Sequence, residues 1–156
     1  MIQDIHVLVV DPDEAERTAV ASILRQAGAV VHTSCGRTEA LFRYLTLFAD
    51  DIIPRGIVTA WWLNVPTTAE FEFYKMIGRE EDNTAVNLIR RVRVVDPDVT
   101  IIVREDDIDP RLASSLDFRS FSRKECISEL IPMLDTDTKI IKHRIRRDSE
   151  EIQVEV

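Results

Sequence analysis

A doubly wound α/β fold, with five parallel strands and helices on both faces, is predicted by three features of this 156-residue chain. Short runs rich in Val and Ile recur along it, stretches with apolar residues at helical spacing separate those runs, and Asp, Pro and Gly punctuate the boundaries. Strict alternation of strand and helix requires right-handed helical crossovers between parallel strands. With 45% apolar and 31% charged residues, a chain of this length can bury one proper core and is too short for two. One domain over residues 1–135 is therefore expected, followed by a charged tail or arm over 136–156.

Ile5-His6-Val7-Leu8-Val9-Val10 is short, β-branched and bounded by acidic turn residues, as a strand buried on both faces should be; it is expected at the centre of the sheet. Asp13 can cap a helix running to Ala27, with Val20, Ile23, Leu24 and Ala27 on one face and Gly28 to end it. A second strand is read at 29–32 and a second helix at 37–49, through Leu41, Tyr44, Leu45 and Phe48. The third strand covers 56–61 and the third helix 85–94, which Asp96-Pro97-Asp98 closes before a fourth strand at 99–103. A short helix at 111–116, a strand at 118–121 and a helix at 124–134 complete the set. The last helix carries Ile127, Leu130, Ile131 and Leu134 at i, i+3, i+4 and i+7.

A formal charge of −8 argues against a surface that broadly binds nucleic acid or anionic membranes. The two cysteines, Cys35 and Cys126, lack metal-ligand spacing and suit a reducing, cytoplasmic setting. The first residues lack the basic and apolar regions of a secretory signal, and no stretch approaches a membrane span. Gly-rich phosphate loops, Gly-x-Ser-x-Gly elbows and His-Glu-x-x-His sequences are absent, so no enzyme and no cofactor is expected. His6, His32 and His143 stand apart in sequence and read as structural or surface residues.

In open α/β sheets functional groups gather beyond the carboxyl ends of the strands, which here means 11–13, 61–66, 104–107 and 122–124. Val7-Leu8-Val9-Val10-Asp11-Pro12-Asp13-Glu14 resembles the opening of a response-regulator receiver domain. Trp62-Leu63-Asn64-Val65-Pro66 resembles that family's segment from the phospho-acceptor aspartate to a proline four residues later. Together with the strand and helix order, the likeness covers roughly residues 4–135 and implies a flavodoxin-like, CheY-like sheet.

The resemblance also implies a phosphorylation site, and this sequence departs from it. Asp11 matches the first of two metal-binding acids; Pro12 stands where the second belongs, with Asp13 next to it. Trp62 falls on the acceptor, and an indole offers neither a nucleophilic oxygen nor a hard-cation ligand. Glu105 is nearest to the position of a phosphoryl-holding hydroxyl, where a carboxylate would repel the group. Arg123 or Lys124 corresponds to the lysine after the fifth strand.

From the residues themselves, Asp11, Asp13 and Glu105 are expected to crowd one end of the sheet, with Arg104, Arg123 and Lys124 to compensate them. A metal-free ionic cluster is favoured over a rebuilt metal site. Alternation at the strand end should turn one of Trp61 and Trp62 inward and the other toward the loops. Trp62 either fills the vacated acid pocket or anchors a partner or ligand. Residues 67–84 exceed the family's usual connection. Carrying Phe71, Phe73 and Tyr74, this insertion is too apolar for a solvated linker and is expected to form a short helix or a flap.

The tail is basic over 139–147 and acidic with alternating apolar residues over 149–156, suiting self-pairing or strand addition to a second subunit. The expected function is that of an atypical, phosphorylation-independent signalling module acting through protein contact, possible homodimer included. Two alternatives are a small-ligand domain using Trp61 or Trp62 with Arg104, Arg123 or Lys124, and a docking or oligomerisation domain.

Overall fold

The computed structural model describes residues 2–64, 68–78 and 83–135. The tail and the side chains of Phe71 and Tyr74 lie outside the described residues. Five strands, β1 (His6–Val10), β2 (Val30–Ser34), β3 (Gly56–Ala60), β4 (Thr100–Arg104) and β5 (Arg119–Phe121), form one parallel sheet in the order β2-β1-β3-β4-β5. The helices are α1 (Glu14–Gln26), α2 (Arg37–Ala49), α3 (Thr68–Met76), α4 (Val86–Val95) and α5 (Pro110–Leu116). A last helical stretch, α6, opens as a 3-10 turn at Ile127–Glu129 and continues through 130–135.

Strand alternation divides the core in two. Leu8, Val10, Ile57, Ile101 and Val103 face Ala40 and Tyr44 of α2 and Leu88, Ile89 and Val92 of α4. Val7, Val9, Val31, Val58 and Ile102 face Val20, Ala21 and Leu24 of α1 and Leu130 and Leu134 of α6. Every residue of β3 and β4 is buried, which is why both read as mostly apolar runs rather than alternating ones, with Thr59, Thr100 and Arg104 as the buried polar exceptions. Burying each such Val, Leu or Ile contributes about 1.5–3 kcal/mol before the entropy of ordering it.

Local chemistry sets the element ends. The Asp13 carboxylate accepts from the amides of Ala15 and Glu16 and so caps α1, as its sequence position predicts. Gly28 takes φ +101°, a conformation open to glycine, directly after that helix. At Gly56 a Cβ would run into Leu134, so glycine lets α6 lie close on the start of β3.

The structure moves some boundaries. β2 begins one residue later than 29 and extends through Thr33 and Ser34, because the Ser34 carbonyl still accepts from the Asp11 amide. The last helix starts near 127 rather than 124: Ser122 Oγ accepts from the Lys124 amide and holds the preceding residues in a turn. The insertion contains a sixth helix, α3, on which Phe73 and Met76 are exposed.

Candidate functional site

The carboxyl ends of β1, β3, β4 and β5 meet at one rim. Asp11, immediately after β1, is 5% exposed, and its Oδ1 accepts from the Asp13 amide at 2.9 Å. Burial pushes its carboxyl pKa up; the bond from the Asp13 amide and the charge of Arg123 pull the other way without cancelling the shift. The Asp11 carbonyl accepts from Arg17 Nη1 at 2.8 Å, so α1 braces this loop.

Arg104, the last residue of β4, is 3% exposed and pairs across the sheet end with Glu16 of α1, Nη1 to Oε2 at 2.9 Å. Its Nε is buried without a hydrogen-bond partner. Glu105 accepts from the Asp106 amide through Oε1 and faces Arg123 through Oε2 at 3.7 Å from its Nε. Asp106 accepts from the Ser122 hydroxyl. Lys124 is exposed, and Pro12 is half-buried.

The residues singled out in the sequence share one rim, but not all of the expected pairings form. Arg104 compensates Glu16, a residue that sequence reasoning passed over, rather than Asp11, Asp13 or Glu105. Arg123 does meet Glu105. Asp13 gives its carboxylate to the amides of Ala15 and Glu16 at the start of α1. Among the described residues no group of three or more His, Cys, Asp and Glu side chains is placed to hold a metal ion.

Beyond β3 the chain leaves the sheet but stays paired. Trp61 O accepts from Ala85 N at 2.8 Å, Trp62 forms an antiparallel bridge with Thr84, and the amides of Leu63 and Asn64 both donate to Asn83 O. These bonds tie the two ends of the insertion together at the sheet rim. Trp61 is the inward indole, packed on the α2 and α4 core with its ring 6.2 Å from that of Phe118 and tilted by 37°. Trp62 is half-buried.

A cavity of about 360 Å³ lies beside this rim, lined by Cys35, Gly36, Arg37, Thr38, Glu39, Leu63 and Asn64. Neither tryptophan nor Arg104 lines it. Glu39 accepts from Cys35 at both the amide and Sγ, which raises the thiol pKa.

Similar architectures occur among solved structures. A Vibrio cholerae chemotaxis protein is 17% identical with a TM-score of 0.63, over 85% of this chain and 98% of its own. A response-regulator receiver domain from Clostridium thermocellum is 15% identical with a TM-score of 0.65, over 88% of this chain and 97% of its own. The receiver domain of Brucella abortus NtrX is 18% identical with a TM-score of 0.62, over 85% and 98%. The chain has the receiver-domain fold. No protein-family profile and no curated protein matches the sequence. No described helix is long and apolar enough to cross a membrane.

β3 closes at Ala60, so Trp61 and Trp62 are the first and second residues beyond it. The sequence from 57 through 64 is Ile-Val-Thr-Ala-Trp-Trp-Leu-Asn, without a carboxylate in any register. Sequence reasoning also set His6 and His32 aside as isolated. Pairing of β1 with β2 brings His6 Nδ1 within 2.9 Å of His32 Nε2. Period-two spacing within each strand was legible, but the register that joins the two histidines was not.

Proposed function

We propose that this chain is a receiver-fold signalling module that works without aspartyl phosphorylation and acts through contact with a protein partner, in a cytoplasmic setting. The observation that carries this reading is the Arg104–Glu16 pair, its guanidinium buried, at the carboxyl end of a sheet whose third strand is followed directly by two tryptophans. Phosphoryl transfer to a receiver needs an oxygen nucleophile and a divalent ion to neutralise the developing charge. Here the nucleophile is missing, and an internal guanidinium supplies a fixed positive charge near the place where an ion would be needed. Asp11 is buried with its Oδ1 already accepting from the Asp13 amide, and Asp13, Glu105 and Asp106 are each engaged by neighbouring donors.

Output must then pass through shape. The insertion, whose flanking residues 61–64 and 83–85 are bonded to each other at the rim, is the proposed contact surface together with Trp62 and the exposed Phe73 of α3. Phe71 and Tyr74 belong to the same segment. A homodimer is the proposed assembly, with no enzymatic activity and no metal.

The test is exposure of the full chain to a small phosphoryl donor with magnesium, followed by intact-mass measurement and peptide mapping. An unchanged mass is expected. A stoichiometric adduct on Asp11 or Asp13 would overturn the proposal.

A further inference from the structure

At the opposite end of β1, two imidazoles meet. His6 Nδ1 and His32 Nε2 are 2.9 Å apart, the ring planes lie within 12° of each other and the centroids are 5.2 Å apart, so nitrogen faces nitrogen across the β1–β2 seam. Such a contact holds one proton: one ring donates its N–H and the other offers a lone pair. It survives with one ring charged, but a second proton removes the only acceptor and sets two cations against each other.

The seam matters because of where it lies. Among the described residues β2 is an edge strand, hydrogen-bonded to β1 and to no other strand. The histidine contact therefore adds a side-chain clasp to a strand held on one side, and α2 follows directly from that strand. We propose that the His6–His32 pair is a proton-operated clasp on the β2 edge, closed at neutral pH and opened by mild acid, which makes this flank of the molecule acid-responsive.

The surroundings favour that assignment. The charged groups acting on His32 are His6 of β1, Arg43 of α2 and Arg25 of α1, and each disfavours a positive imidazole. Arg25 is fixed by a hydrogen bond to Val31 O, and Arg43 is paired with Glu39. On the β3 side, the Arg55 amide donates to His6 O. Burial and these charges lower the His32 pKa below the ordinary 6.5. A divalent ion fits the same spot badly, since two nitrogens are half of a tetrahedral set and the guanidiniums repel it.

The sign follows from linkage. A folded pKa below the unfolded one gives stability that is fully present above about pH 6.5 and is lost as the pH falls through the folded value. Amide exchange by NMR, corrected for the intrinsic pH dependence, tests this in the full chain. Between about pH 7.5 and about pH 5, protection of the β2 amides should fall roughly tenfold relative to those of Ile101–Val103. The H6Q/H32Q variant should lose that difference. Equal responses of β2 and β4 in the wild type, or an unchanged difference in the variant, would overturn the clasp. If the variant fails to fold, ring nitrogen shifts of the wild type decide. Two separated protonation steps, the second displaced to lower pH, are expected, and one coincident step near the ordinary value overturns it.

Discussion

Arg104 at the end of β4 and Glu16 in the first turn of α1, 88 residues apart, close the rim of the sheet with a 2.9 Å ion pair. The two ends of that pair live in different media. The arginine side chain is 4% exposed and the glutamate 39%. Removing one partner should therefore not cost the same as removing the other. In Glu16→Gln the guanidinium stays buried with its charge poorly met, and about 1–2 kcal/mol should be lost, less than the 3–5 kcal/mol of a wholly buried pair because water still reaches position 16. Arg104→Met leaves only a water-accessible carboxylate and removes a buried Nε that has no hydrogen-bond partner, so it should cost less. Urea unfolding of both variants gives the order, and a larger loss for Arg104→Met would show that the arginine acts mainly by packing.

Asp11 leads to a prediction with a pH signature. Its folded pKa is raised, chiefly by burial, so the charged form destabilises the fold. For an acid shifted upward, the penalty is absent below the ordinary 3.8, grows as the pH rises through the folded value and is complete above it. Asp11→Asn keeps an oxygen for the Asp13 amide and removes the charge. It should be more stable than the wild type at neutral pH, with the advantage gone near pH 3.8. Melting curves across that range check it; a constant difference would assign the effect to something other than ionisation.

Much of this fold could be read directly, and the reasons are local. Asp13 is a cap because the helix after it needs an acceptor for two amides, and Ile127, Leu130, Ile131 and Leu134 mark one helix face whatever lies opposite. The site was less legible because its partners depend on register and helix rotation. Glu16 reads as an ordinary first-turn acid until α1 is laid against β4. Trp61 and Trp62 differ in sequence by one position, and only the antiparallel bridge to Thr84 and the Phe118 contact separate their roles. Insertion length was visible, whereas the amide bonds that fasten 61–64 to 83–85 are backbone events with no side-chain signature.

Across the α2–α4 interface, Tyr44 is 1% exposed and its hydroxyl donates to Asp96 Oδ2 at 3.2 Å. Burial and the Asp96 charge push the phenol pKa far above its usual range, so it remains a donor wherever the protein is folded. Tyr44→Phe keeps the packing of the ring and deletes the bond, which should cost about 1 kcal/mol, while Tyr44→Ala also opens a cavity and should cost about 3–5 kcal/mol. Thermal and urea unfolding of both variants separate the two contributions. Equal losses would mean that the hydroxyl dominates.

The inward indole should matter more for stability than its neighbour. Trp61 packs on the α2 and α4 core and against Phe118, whereas Trp62 sits half-buried in the bridge that fastens the insertion. Trp61→Ala should cost about 2–4 kcal/mol, somewhat under the value for a fully buried tryptophan. Trp62→Phe should stay within about 1 kcal/mol. The comparison also tests the proposed contact surface, because a Trp62 variant that folds normally yet loses self-association in a sedimentation experiment would place Trp62 at an interface.

Placing an aspartate beyond β3 tests the proposed independence from phosphorylation. Trp61→Asp and Trp62→Asp put a carboxylate at either of the two positions past Ala60, so the outcome does not depend on which one the receiver fold would use. Neither should gain a phosphoryl group from a small donor with magnesium. Asp13 is committed to the amides of Ala15 and Glu16, Pro12 offers no ligand, and Asp11 is buried with its Oδ1 held by the Asp13 amide. Arg104 already satisfies Glu16 with a fixed positive charge, which raises the cost of bringing a divalent ion to the same rim. Trp61→Asp will itself be destabilised by loss of the core indole, so its mass measurement should be paired with a fold check by circular dichroism. A stable phosphoryl adduct on a folded single variant would show that the acceptor was the only missing part and that the ionic rim does not exclude the metal.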